Sequence, residues 1–342
     1  MRAVLLTGFG GPEKLEYRED VPEPRPGPNE VRVRVSATAL NNTDIWTREG
    51  AYGSPEDPGS SAGWRREPLK FPRIQGADVA GRIDEVGEGV PRSRIDQRVL
   101  LDPMIYQGGE RELVNTEYLG SERDGGFAEF VTVPAANAHV VDSSLTDAQL
   151  ATFPTAYATA MRMLTRATVQ PGETILITGA SGGVGSALIQ LVTIRGARVI
   201  AVVSAGKHEQ ARALGAAITI DRDEMSSTLP AHYVDVVADV VEGPGFTALL
   251  RALRPLGRYV VAGAIAGPLV ETDLRTVYLK QLQLIGSSFG SHEDFAQLLA
   301  HISGDELKPL LAGTYPLRDL RIAQEHFARK NFFGKLVVTV QS

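Results

Sequence analysis

The chain contains no cysteine. That absence removes disulfide bonds, thiolate nucleophiles and every cysteine-containing zinc site together. Its six histidines, His139, His208, His232, His292, His301 and His326, lack the close helical or loop spacing of metal ligands. No uninterrupted apolar run is long enough to cross a bilayer, and the opening Met1-Arg2-Ala3-Val4-Leu5-Leu6 is too short for a signal peptide and reads as a first strand. These features predict a cytoplasmic protein with no membrane partner. Positive charge is not in excess either: a net charge of −6 gives no basic face for a nucleic-acid backbone, so nucleic acid is not an expected partner. Internal repeats, low-complexity tracts and coiled-coil heptads are also missing.

What is present is ordinary globular composition, 43% apolar and 22% charged, over 342 residues, a length that predicts two domains with separate cores. The first third is β-rich. "EVRVRVSATAL" alternates apolar and charged residues as a half-exposed strand does, and "RVLL" and "GGFAEFVTVP" read as further short strands. Between them "YGSPEDPGSSAGWRREPLKFP" has no periodicity and reads as a long surface loop of the kind that borders a site. From about residue 146 the rhythm changes. "LTDAQLATFPTAYATAMRMLTRA" is helical in composition and divided at Pro154, and "TILIT", "ARVIAVV", "VDVVADVV" and "GRYVVAG" are compact apolar runs separated by helical stretches. That is the pattern of βαβ units in a parallel sheet, an α/β class. "EDFAQLLAHI" and "GKLVVTV" then supply a helix and a terminal strand that can return to the first domain.

The clearest chemistry lies in "ETILITGASGGVGSALIQ". Gly182, Gly183 and Gly185 stand between an apolar strand and an apolar-periodic helix, so the backbone can turn sharply and approach a pyrophosphate at the helix N-terminus. Ala180, Ser181, Gly182, Gly183 and Val184 are therefore expected to hold a dinucleotide. An NAD site usually ends its second strand in a carboxylate for the adenosine ribose. Here Ser204 and, shortly after, Lys207 occupy that region, which favours NADPH; the alternative for Lys207 is a solvated lysine opening a helix.

With "GADVAGRIDEVGEGV", "GASGGVG", "GRYVVAGA" and the closing "GKLVVTV" in hand, the chain resembles the medium-chain dehydrogenase/reductase superfamily, and within it the zinc-free quinone oxidoreductase-like enzymes. The resemblance spans nearly the whole chain. It implies a β-rich, GroES-like catalytic domain over residues 1–145, completed by 290–342, a Rossmann doubly wound parallel sheet over 146–289, and a homodimer. Zinc-containing relatives carry a cysteine where Asn41 stands and a histidine where Ala77 stands, and a residual Asp78 cannot build a metal site alone. Asp78 accordingly reads as structural, with no metal expected. The lobe over residues 103–126 has lost the four cysteines of relatives with structural zinc but keeps a length closer to alcohol dehydrogenases.

The resemblance places Asn41, Asp44 and Tyr52 at cleft positions, with Asn41 and Tyr52 as catalytic candidates and Asn41 also touching cofactor. A loop-capping amide and a pocket wall are the alternatives for these two. Thr159 is implied near the nicotinamide ribose, or as a packed helix residue, and Tyr157 beside it would narrow the pocket. Gly263, Ala264 and Ile265, with Ser287, Ser288 and Phe289, are implied at the nicotinamide amide; Lys335 and Arg222 are further cofactor candidates, each with an exposed cation as the alternative. Selectivity would lie in the loop around Trp64. The function so implied is NADPH-dependent hydride transfer to a small quinone or α,β-unsaturated carbonyl, since a conjugated acceptor needs no Lewis acid. A zinc-less alcohol or ketone dehydrogenase and an NADPH-binding protein with a structural or regulatory role are the competing readings.

Overall fold

The opening apolar residues form strand β1 (Ala3–Leu6) in the computed structural model, which describes residues 1–52, 69–109, 111–112 and 116–340. β1 pairs antiparallel with β2 (Leu15–Arg18). The valine/arginine alternation becomes β3 (Glu30–Ala39), with Val31, Val33 and Val35 fully buried and the charged residues between them turned outward. Helix α1 (Asn42–Glu49) follows and stops at left-handed Gly50. The chain continues through β4 (Arg73–Ile74), β5 (Asp78–Val86), β6 (Arg98–Leu101), β7 (Met104–Ile105), β8 (Glu117–Tyr118), β9 (Phe130–Pro134), β10 (Ala138–Val140) and a single-turn helix, α2 (Asp147–Leu150).

Helix α3 (Pro154–Arg166) begins at its proline, where the missing N–H costs nothing. Strands and helices then alternate: β11 (Thr174–Ile177), α4 (Gly183–Ile194), β12 (Arg198–Val203), α5 (His208–Ala213), β13 (Ile218–Asp221), α6 (Met225–Thr228), β14 (Val234–Asp239), α7 (Phe246–Ala252), β15 (Leu253–Val261), α8 (Leu274–Leu279), β16 (Gln283–Gly286) and α9 (His292–Ser303). The six strands form one parallel sheet in the order β13-β12-β11-β14-β15-β16. Central β11, TILI, is buried at every residue, as a strand covered on both faces must be. Strand order reverses between β11 and β14, and open sheets of this kind bind ligands outside the carboxyl ends of the strands at such a switch point.

The chain ends in β17 (Leu311–Pro316), α10 (Leu320–Arg329) and β18 (Lys335–Thr339). β18 pairs antiparallel with β3, completing a seven-stranded sheet whose path runs β10-β6-β5-β3-β18-β17, with β9 on the first half of β3. Unit 1 thus comprises residues 1–155, 299–331 and 335 onward, and unit 2 comprises 156–298 and 332–334. The first division falls at 155/156 rather than 145/146, since α2 packs on β3 and β5 of unit 1. The doubly wound parallel sheet and the β-rich domain built from both chain ends are as the sequence predicts. Among the described residues no helix is long and apolar enough to cross a membrane.

Candidate active site

Three neighbouring strands of unit 1 converge on one polar cluster. Register sets Ala39, at the end of β3, opposite Asp78 on β5 and Val337 on β18. Asn41, Asp78 and Lys335 therefore meet, although Lys335 and Asp78 lie 257 residues apart in sequence. Lys335 Nζ donates to Asp78 Oδ2 at 2.9 Å and also to Asn41 Oδ1, while Asn41 Nδ2 donates to the same Asp78 oxygen at 3.0 Å. The other carboxylate oxygen, Oδ1, accepts the Thr155 N–H at 2.8 Å. Asp78 and Lys335 are both buried, so this is an ion pair stripped of water, with its hydrogen bonds satisfied inside the protein.

A second buried acid adjoins it. Asp44 Oδ2 accepts the Asn41 N–H at 2.7 Å as part of the α1 cap. Burial raises the Asp44 carboxyl to about 7; the bond from Asn41 opposes the shift, the Asp78 charge adds to it and the Lys335 charge opposes it. Tyr118 Oη and Thr155 Oγ1 share a hydrogen bond of 2.8 Å, and burial with the nearby Asp78 charge holds the Tyr118 phenol well above its ordinary value. Tyr52 packs edge-on against Trp46, with ring centroids 5.5 Å apart, and burial keeps its phenol protonated too.

This geometry changes the reading of two residues. Asn41, expected as a neutral donor to a substrate oxygen, has its amide oxygen and nitrogen committed to Lys335 and Asp78, and so acts as a bridge. Lys335, expected as a cofactor contact or an exposed lysine, is buried with its ammonium on Asp78. Sequence reasoning missed Tyr118 and Thr155, which carry no local signal and reach the cluster only through the fold. The loop around Trp64 lies outside the described residues.

Unit 2 holds the second constellation. After β11 the chain turns at Gly179, φ +54°, and enters α4 through extended Gly182. A Cβ on Gly185 would stand 2.3 Å from the Gly179 carbonyl oxygen, so this turn closes only around glycine. Ala180 N donates to Val202 O, the Ser181 carbonyl accepts from Gly334 N, and the opening N–H groups of α4, around Gly183 and Val184, have no intrahelical acceptor. Such a helix start favours a phosphate.

Asp239, which the sequence reading passed over, organises the neighbouring strand end. Fully buried at the end of β14, it accepts from Thr178 Oγ1 and Tyr259 Oη, each at 2.5 Å, and from the N–H groups of Val241 and Glu242 at 2.8 and 3.0 Å. At the β12 end stands half-buried Ser204 where an NAD site carries a carboxylate; Asp221, in register with Val203 at the end of β13, accepts the Asp223 N–H. Lys207 Nζ donates to Phe332 O at 2.7 Å, and burial first, then the Arg222 charge, lowers its proton affinity. Two cations therefore stand close together at the β12 and β13 ends. Past β15 and β16 come Gly263, Ala264 and Ile265, then Ser287, Ser288 and Phe289. Ser287 N donates to Val261 O, while its buried Oγ has no partner among the described residues. Thr159 is buried on α3. Tyr157, expected to narrow a pocket, is packed in the core of unit 2 with its hydroxyl accepting from Gln190 Nε2.

Comparison with known proteins matches residues 27–143 to the alcohol dehydrogenase GroES-like domain and residues 183–304 to the zinc-binding dehydrogenase family. Mouse quinone oxidoreductase is 31% identical, over 95% of this chain and 93% of its own. Acryloyl-coenzyme A reductase from Metallosphaera sedula is 30% identical, over 99% and 100%. A provisionally assigned alcohol dehydrogenase from Sinorhizobium meliloti superposes with a TM-score of 0.94 at 52% identity, covering 99% of this chain and 96% of that one. The zinc named in one of these families does not fit here: among the described residues no group of three histidines or acids could hold a metal, cysteine is absent, and Asp78 already carries an ammonium. A nicotinamide dinucleotide is compatible with the strand–glycine turn–helix start of unit 2, where the opening N–H groups of α4 have no intrahelical acceptor, and with the Ser287 hydroxyl, which has no partner among the described residues.

Two measurements check the unit 1 cluster. Lys335→Met leaves Asp78 buried without its cation and is expected to cost about 3–5 kcal/mol in urea unfolding, most of it recovered when Asp78→Asn is added; a double variant as unstable as the sum of the singles would remove the ion pair as the cause. Asp44 titrates near 7 in the folded chain, against about 4 unfolded. The native state thus holds the extra proton between those values, and its stability falls as pH rises from about 4 to 7. Asp44→Asn should flatten that part of the melting-temperature profile relative to the parent, and superimposable profiles would refute the assignment.

Proposed function

The chain belongs to the medium-chain dehydrogenase/reductase superfamily, and from that premise we propose that it is a zinc-independent, NADPH-dependent oxidoreductase that delivers hydride to a quinone or an α,β-unsaturated carbonyl. Oxidoreductase chemistry with a nicotinamide cofactor is common ground with its relatives. The observation that carries the finer reading is the Asn41–Asp78–Lys335 cluster, in which an internal ammonium is bonded to the acid that a metal would need. No group in it can polarise an isolated ketone as a Lewis acid does. A conjugated acceptor spreads the developing charge and needs only neutral donors, for which the protonated Tyr52 phenol is suited.

When bound, the dinucleotide supplies the hydride; the chain's residues hold and orient it. Ala180 to Val184 and the α4 N-terminus take the pyrophosphate. Lys207 and Arg222, with Ser204 in place of a carboxylate, support a 2′-phosphate and hence NADPH. The Ser287 hydroxyl and the main chain of Gly263 to Ile265 and of Ser288 and Phe289 suit the nicotinamide amide. Orientation of two partners in this way contributes a substantial part of a hydride-transfer barrier reduction.

A zinc-less alcohol dehydrogenase is the second reading, favoured by the 52% identity to the Sinorhizobium protein. One acceptor panel separates them, run with both cofactors and with chelator present. Quinone and enone should exceed the matching saturated ketone by on the order of a hundredfold in kcat/KM, the scale of one missing acid catalyst. NADPH should be favoured over NADH by roughly ten- to a hundredfold, with Lys207→Ala losing most of that preference. Efficient saturated-ketone reduction would establish the alcohol dehydrogenase reading, and tight NADPH binding without turnover would leave a binding protein.

We also propose a homodimer formed through unit 2. Edge strand β16 and helix α8 expose Leu274, Tyr278, Leu279 and Leu284, apolar surface beside a strand edge that pairs with no other strand among the described residues. Leu284→Glu should sediment as a monomer where the parent sediments as a dimer, and a monomeric parent would end this proposal.

A further inference from the structure

Glu242 holds a backbone conformation that side chains avoid, φ 53° and ψ −151°, in the region that is essentially glycine's. Its surroundings leave it little choice. The N–H groups of Val241 and Glu242 both donate to Asp239 Oδ1, Ala266 N donates to Val241 O, and Gly243 lies so close to Ala266 that a Cβ there would stand 2.8 Å from the Ala266 oxygen. The glutamate is therefore clamped in a costly geometry. Its carboxylate has no hydrogen bond or ion pair among the described residues. Burial, and then the charge of Asp239, raise its proton affinity, so the position is also electrostatically unfavourable.

The place explains what such a side chain can do. β14, which Glu242 follows, is one of the two strands flanking the switch point, and β11, the other, leads into the glycine turn. A Cβ on Gly179 would meet the side chains of Val240 and Val241 at 3.0 Å, so the Glu242 loop borders that turn directly. A dinucleotide held by its pyrophosphate at this turn would place its adenosine half at the β12 end, where such sites read the adenosine ribose, leaving the β14 side of the switch point for its other half. The first group beyond the pyrophosphate on the β14 side is a ribose, with two vicinal hydroxyl donors. A carboxylate with no cation beside it repels phosphate and accepts readily from hydroxyls.

We propose that Glu242 is a cofactor-positioning residue whose carboxylate accepts hydrogen bonds from the ribose hydroxyls of the nicotinamide half, the backbone strain being retained for that contact. The proposal rests on the dinucleotide reading of unit 2, and the test separates the two. Melting temperature without nucleotide, and calorimetric Kd for ADP and for ADP-ribose, are measured on the full-length parent, Glu242→Gly and Glu242→Gln. Glu242→Gly releases the strain and should melt roughly 2–4 °C higher. It should bind ADP at least as tightly as the parent, a repelling charge having gone, and ADP-ribose roughly ten- to a hundredfold more weakly, the worth of a charged hydrogen bond. Glu242→Gln keeps strain and melting temperature and should lose less ADP-ribose affinity, its amide oxygen being a weaker acceptor. ADP-ribose affinity unchanged in Glu242→Gly, or lost in parallel with ADP affinity, overturns the role of Glu242 while leaving the cofactor reading standing. A parent that binds neither nucleotide, with or without a 2′-phosphate on the adenosine ribose, overturns the cofactor reading, and this proposal with it.

Discussion

The buried pair of Lys335 and Asp78 is the constraint on which unit 1 depends. An ammonium and a carboxylate taken out of water are tolerable only together, and only if their remaining hydrogen-bonding capacity is met. Asn41 and the Thr155 N–H meet it, so four segments, the ends of β3, β5 and β18 and the start of α3, are pinned to one point. This gives the discontinuous domain a reason: β18, from the end of the chain, brings the cation that the acid on β5 requires. The same pairing bears on the proposed chemistry: the Asp78 oxygen that a metal would take already accepts from Lys335 and Asn41.

Unit 2 solves a different problem with the same material. Its buried carboxylate, Asp239, has no cation partner among the described residues and is satisfied by two hydroxyls and two main-chain N–H groups. Those bonds tie the end of β14 to Thr178 at the end of β11 and to Tyr259 on β15, on either side of the point where strand order reverses. One acid is thus held by a charge pair, while the other fixes the loop after β14 through neutral donors. The strained Glu242 is a consequence of the second arrangement, because its N–H is drawn to Asp239.

Much of this was legible beforehand. Period-two alternation in "EVRVRVSATAL", the buried runs of the βαβ units and the break at Pro154 each state a local preference that tertiary packing had no cause to override. The glycine turn was legible for the same reason, since a strand, three glycines and a helix start are contiguous and the steric need for Gly185 is local. Less legible were the roles of polar residues. Asn41 read as a donor to a substrate or a loop-capping amide, and Lys335 as a cofactor contact or an exposed cation, because nothing in "NNTD" or "GKLVV" reports what lies across the sheet.

The sequence by itself determined the class of fold, the place of the glycine turn between β11 and α4 and the absence of cysteine, all properties of short windows or of composition. Only the tertiary structure decided that Asp78 carries a lysine, that Asn41 bridges the two, that Tyr118 and Thr155 join them, and that Tyr157 belongs to a core. The physical reason is register. Strands β5, β3 and β18 are far apart in sequence, and which residues face each other at their ends is set by antiparallel pairing, in which a slip of one residue would turn every side chain to the opposite face.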